Sequence, residues 1–91
     1  MYNMEEIITD KNIRDTFEQI IAKIPVFLRD IARQKVSQRI KAILTKENRS
    51  QATEKDVVDA FFAETPFGFH GPLKIDMQSI GIDYTKYGYD K

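Results

Sequence analysis

Cysteine is missing from the 91 residues, which removes disulfide staples, thiolate nucleophiles and iron–sulfur ligation by the chain's own thiols. Histidine occurs once, at His70, so a structural zinc site built from several Cys and His ligands has at most one of them here. A lone histidine can act as a base near neutral pH, but it needs a nucleophile, and no serine or threonine beside His70 forms a recognisable triad or elbow. The acids Asp76, Asp83 and Asp90 recur every seven residues, too sparsely for a calcium loop and without its central glycine. A glycine-rich phosphate cradle is also lacking. Neither a metal nor a cofactor is expected, and no residue is assigned a catalytic role. No apolar run is long enough for a bilayer, and the opening MYNMEEIITD is acidic where an export signal is basic. A soluble, cytoplasmic, non-enzymatic protein is the expectation.

Charge is balanced overall, with 14 basic and 14 acidic residues, but unevenly placed. Residues 1–22 carry −3, residues 23–49 carry +6, and residues 50–91 carry −3. A basic central element is thus bracketed by acidic ones. Neutralisation within the fold accounts for that pattern; a basic face turned to an acidic partner or a phosphate backbone is the other reading.

Glycine is absent before Gly68, and Pro25 is the only proline before Pro66, so the first two thirds of the chain is free to be helical. Ile13, Phe17, Ile20, Ile21 and Ile24 recur at steps of three and four, predicting a first amphipathic helix over about Asn12–Ile24, with Thr9 or Asp10 as its N-cap. Pro25 ends it, and its fixed φ suits the start of another helix. The second helix is predicted from Pro25 to Lys46 or Asn48, at ~33 Å the organising element. Phe27, Leu28, Ile31, Ala32, Val36, Ile40, Ile43 and Leu44 are expected to face inward, with Gln34, Gln38 and the basic residues outward. After the connector NRSQA, Thr53 with Asp56 three residues on forms a partial capping box that opens a third helix. Its apolar side is Val57, Val58, Ala60, Phe61 and Phe62, and Thr65–Pro66 closes it.

The fold class read from this pattern is all-α. A three-helix core with one long central helix occupies residues 1–65, and an irregular Gly/Pro/aromatic-rich segment follows over residues 66–91. All four glycines and two of the three prolines fall in that segment, predicting turns and extended chain that either wrap the helices or order against a partner. No internal repeat is visible.

The hexapeptide Ile24-Pro25-Val26-Phe27-Leu28-Arg29, with the later Thr53, Val57 and Ala60, resembles the small helical domain at the C-terminus of the light-independent protochlorophyllide reductase B subunit. The resemblance covers roughly residues 13–62. Pro25, Phe27 and Arg29 match the family's opening of a long helix, while the connector NRSQA lacks the glycine usual before that threonine. In the reductase, the cluster and the catalytic residues lie elsewhere in the larger subunits, so none is carried over. The resemblance implies an accessory module near a tetrapyrrole site or a subunit contact.

Three roles follow. The first is protein–protein interaction or self-association, with a redox complex as the setting the resemblance implies, through Phe27, Arg29, Phe67, Phe69, His70, Tyr84, Tyr87 and Tyr89. The second is nucleic-acid binding through Arg33, Arg39, Lys41, Lys46 and Arg49, since residues 49–58 also resemble the loop and last-helix start of the histone fold. The third is a small-ligand or tetrapyrrole-binding module, with the tyrosines able to stack on a planar group.

Overall fold

A computed structural model describes residues 7–91, and these are all-α. The first six residues of the acidic opening lie outside them. Among the described residues four helices form rather than three: α1 (Lys11–Ile21), α2 (Arg29–Lys46), α3 (Glu54–Glu64) and α4 (His70–Ser79). Short 3-10 turns at Val26–Leu28 and Phe67–Phe69 lead into α2 and α4, and a third, Tyr84–Tyr87, follows α4.

Helix α1 starts where the sequence indicates. Asp10 is the N-cap, its carboxylate accepting from the backbone N–H of Asn12 at 2.8 Å and of Ile13 at 3.4 Å. The helix ends at Ile21, short of the predicted Ile24. Lys23 and Ile24 donate to the carbonyls of Ile20 and Ile21, three residues back, so the last turn tightens before the proline forces extended backbone.

Helix α2 with its 3-10 lead-in is the longest element, as expected, and makes its largest contact with α3. At its C-terminus Asn48 takes the left-handed conformation at φ 55°. Arg49 N–H then reaches back to the Leu44 carbonyl at 2.8 Å, the bond that closes a Schellman-type end. Asparagine tolerates this backbone where most side chains clash.

Helix α3 is the central element. Val57, Val58, Ala60, Phe61 and Phe62 are all buried, and Phe61 meets Phe17 of α1 with ring centroids 5.5 Å apart. Ile20, Ile21, Val36, Ile40 and Leu44 complete the contact from α1 and α2.

The largest departure from expectation lies in the C-terminal segment. Turns and extended chain were expected from its glycines and prolines, yet α4 spans ten residues there and contains Gly71 and Pro72. Both fall in its first turn, where a missing proline N–H breaks no intrahelical bond. Helix α4 turns Leu73 and Met77 into the core. Gly81, at φ 85°, reverses the chain, with Ile82 N–H donating to the Met77 carbonyl, and the tyrosine turn folds back across α3. The radius of gyration, 12.2 Å, is that of a fully packed chain of this length, which requires the segment to be folded in.

Candidate functional site

Two places in the chain have the same construction. Pro25 (φ −52°, ψ 140°) opens the turn Val26–Leu28, and Pro66 (φ −55°, ψ 143°) opens Phe67–Phe69. Leu28 N–H bonds the Pro25 carbonyl at 2.9 Å, and Phe69 N–H bonds the Pro66 carbonyl at 2.8 Å. Leu28 and Phe69 share a backbone (φ −103°, ψ −7°; φ −107°, ψ 7°), and a helix follows at Arg29 or His70. The chain therefore repeats helix–proline turn–helix, and each preceding helix, α1 and α3, has eleven residues. The expectation of no repeat holds for the letters and fails for the backbone. Proline supplies the shared constraint, a fixed φ and no N–H, while the surrounding side chains differ.

The two first-helix residues do the same work. Arg29 is a cation at a helix N-terminus, unfavourable for its own helix dipole. Its guanidinium instead points back to the end of α1: Nε donates to the Ile24 carbonyl and Nη2 to the Ala22 carbonyl, both at 2.9 Å. His70 treats the end of α3 likewise. Its Nε2 lies 2.9 Å from the Thr65 carbonyl oxygen and 3.1 Å from that of Phe62. Carbonyls only accept, so the proton is placed on Nε2. Each residue satisfies carbonyls that the proline turn leaves without intrahelical donors.

What the two corners present outward is apolar. Phe27 is 84% exposed, Phe67 88% and Phe69 63%, with Val26, Leu28 and Ile31 also exposed. The inward placement expected for Phe27, Leu28 and Ile31 is therefore corrected. At 3.6 residues per turn, Phe27, Leu28 and Ile31 stand roughly 120–180° from the centre of the Val36–Ile40–Leu44 stripe, so even a helix running straight from Pro25 turns them away from it. Ile31 lies inside α2, where the same angular offset leaves it exposed. Among the large apolar side chains exposed in the described residues, all but Ile75 lie on the two corners or one turn beyond.

The corners are neighbours in space. A groove of about 210 Å³ is lined by Ile24, Leu28, Ile31, Ala32, Lys35 and Val36 on one side and by Phe61, Glu64 and Thr65 on the other. It runs between the start of α2 and the end of α3, just before Pro66. The sequence pointed to Phe27, Phe67 and Phe69 as contacts; it gave no sign of the groove, whose residues read as helical core.

The tyrosines sit elsewhere. Tyr84 is buried, and Phe62 gathers an aromatic cluster: Tyr89 stacked at 4.0 Å, His70 edge-on at 5.0 Å and Tyr84 at 6.1 Å. Tyr87 Oη donates to Glu54 Oε1 at 2.6 Å and Tyr89 Oη to Asp59 Oδ1 at 2.5 Å, both acids on α3. Partial burial, and then these carboxylates, hold both phenols protonated well above the usual tyrosine value of 10.0. Their folded pKa values lie above the unfolded ones, so the stability they contribute is complete below about pH 10 and is lost as pH rises further. We expect a difference titration at 295 nm between the wild type and Tyr87→Phe/Tyr89→Phe to show no ionisation of this pair until helical circular dichroism is lost. Ionisation near pH 10 with the helices intact would show that neither contact exists in solution.

Of the basic residues proposed for nucleic acid, three are engaged with carboxylates. Arg33 meets Glu18 at 3.0 Å, Arg39 meets Glu64 at 2.7 Å, and Arg49 holds Asp56 with two bonds of 2.6 and 2.9 Å. Lys46 lies exposed at the end of α2, and Lys41, also exposed, makes an interaction of its own. Asp56 is only 3% exposed. It also accepts from Thr53 N–H at 2.8 Å and from Thr53 Oγ1 at 3.1 Å, completing the capping box that the sequence showed in part. No group of three or more His, Asp or Glu side chains suited to a metal ion occurs among the described residues, and none of their helices is long and apolar enough to cross a membrane.

No curated protein and no solved structure matches the chain. A family model described as "Protein of unknown function (DUF2621)" matches residues 2–89, nearly the whole length, and the chain belongs to that family.

Proposed function

We propose that this chain is a non-catalytic interaction module that docks a protein partner on the two proline corners and the groove between them. The observation carrying this reading is the gathering of exposed phenylalanines at Phe27, Phe67 and Phe69 beside an apolar groove. Exposed aromatic side chains of this kind supply the anchors of protein interfaces, and a large apolar patch on an otherwise charged surface marks a site that a partner covers. The side chains with chemical potential are committed to the fold: His70 to the end of α3, Asp56 to its start, Tyr87 and Tyr89 to its flank. That commitment favours docking over catalysis.

Pro25, Phe27 and Arg29, the residues resembling the reductase domain, all belong to the first corner. A subunit contact in a larger redox assembly is the setting this resemblance suggests. The nucleic-acid reading has less support, because a phosphate must displace Glu18, Glu64 or Asp56 from the arginines it would use.

The test is photo-crosslinking in the native cell, with benzoylphenylalanine placed at position 27, 67 or, as a control, the exposed Gln38 of α2. We expect discrete protein adducts at 27 and 67 and none at 38. Equal labelling at all three positions, or none at any, would end the docking reading.

A further inference from the structure

We infer that the partner of the corner surface is a second copy of this chain, each protomer seating Phe67 in the other's groove. The inference rests on the reading above that this surface is a docking face, and it names the occupant.

Size supports it first. The groove holds about 210 Å³ and has an apolar wall of Ile24, Leu28, Ile31, Ala32, Val36 and Phe61. A dry apolar cavity of ~150 Å³ accepts benzene, so this one takes a single phenyl ring. Placement supports it next. Phe67 is the most exposed of the chain's large apolar side chains among the described residues, and it stands two residues beyond Thr65, which lines the groove. A projecting ring therefore follows closely in the chain on a hole of a size to take one. Two such faces related by a two-fold axis satisfy both protomers at once and close the assembly, as an isologous interface requires.

Area points the same way. At the 150–250 Å² an aromatic side chain can bury, the exposed fractions of Phe27, Phe67 and Phe69 alone supply roughly 350–600 Å² per protomer. Val26, Leu28 and Ile31 add to that and bring the patch toward the ~800 Å² per partner of a standard interface. Charge does not oppose the pairing. The chain is neutral overall, and the groove is lined by both signs, Lys35 on the α2 side and Glu64 on the α3 side. An anionic membrane or nucleic acid would be met by a rim of one sign; a two-fold pairing is served by both.

Sedimentation equilibrium of the full chain, from micromolar to several hundred micromolar, reads the result. We expect a species of twice the 10.6 kDa chain mass. Phe67→Ala, which removes the ring, and Ala32→Phe, which fills the hole, are each expected to weaken it roughly 30-fold or more. Ile75→Ser, exposed on α4 away from the corners, should leave the mass unchanged. Circular dichroism melts check that each variant folds, and Phe67→Ala, at an exposed position, keeps the test decisive if Ala32→Phe is misfolded. A wild type that stays monomeric overturns the inference, and so does a dimer that survives Phe67→Ala. If the chain is monomeric while position 27 or 67 still crosslinks a different protein, self-pairing is wrong and the docking face stands. If neither position crosslinks anything, both readings fall.

Discussion

Phe62→Ala is expected to lower stability by about 3–5 kcal/mol, the range for truncating a buried phenylalanine. At roughly 4–8 °C per kcal/mol for a domain of this size, the melting temperature should fall by at least ~12 °C. Phe62 is not just another core side chain. It is the surface on which Tyr89 stacks, Tyr84 leans and the His70 ring stands edge-on. Removing it takes away the platform of the C-terminal turn as well as part of the α3 core. Lys86 is already exposed, but it sits in the ordered turn Tyr84–Tyr87; loss of these contacts should free that backbone, so limited trypsin digestion should cut the variant there faster than the wild type. Phe62→Leu, which keeps most of the apolar volume and loses the stacking, should fall between the two. A melting point within a couple of degrees of wild type, with Lys86 equally protected, would mean that the C-terminal turn is held by something other than this cluster.

Asp56→Ala is the second large effect, about 2–4 kcal/mol. One part is the capping box, worth ~1 kcal/mol when its side-chain bonds are lost. The larger part is the charge-assisted bonding of a buried carboxylate, at ~1.5–3 kcal/mol. Burial by itself disfavours the ionised form of Asp56. The Arg49 bonds and the Thr53 backbone and hydroxyl donors outweigh that, so the carboxyl titrates below its ordinary 3.8. The folded pKa is depressed relative to the unfolded chain. Stability from this group is therefore complete above about pH 4 and is lost as pH falls through the lower folded value. Denaturant melts of wild type and Asp56→Ala should differ most near neutrality and converge in acid. The same gap at pH 7 and pH 2 would place the loss in packing and remove charge from the account. Arg49→Ala should also destabilise, and the double variant should cost less than the two single changes together, because both remove one interaction.

Both substitutions act on α3, which organises the molecule. The sequence pointed instead to the second helix, on the strength of its length. Length made α2 the longest contact surface, but α3 is the element with nearly every apolar side chain buried, touched by α1, by α2 and by the tyrosine turn. Its role is invisible in a periodicity count, since Val57, Val58, Phe61 and Phe62 are few and adjacent. Only the elements packed around them make that short run a centre.

The sequence alone determined the all-α class, the N-cap at Asp10, the break at Pro25 and the capping box at Thr53 and Asp56. These are local. A proline without an N–H or a carboxylate within reach of an orphan donor acts on its immediate neighbours, whatever lies further away. Tertiary structure decided the rest. It made a fourth helix of a segment rich in glycine and proline, because burial of Leu73 and Met77 outweighs weak helix propensity when the glycine and proline sit in the first turn. It also brought the two corners together across one groove. Which side of a helix meets its neighbour depends on residues tens of positions distant, and no local pattern encodes that distance.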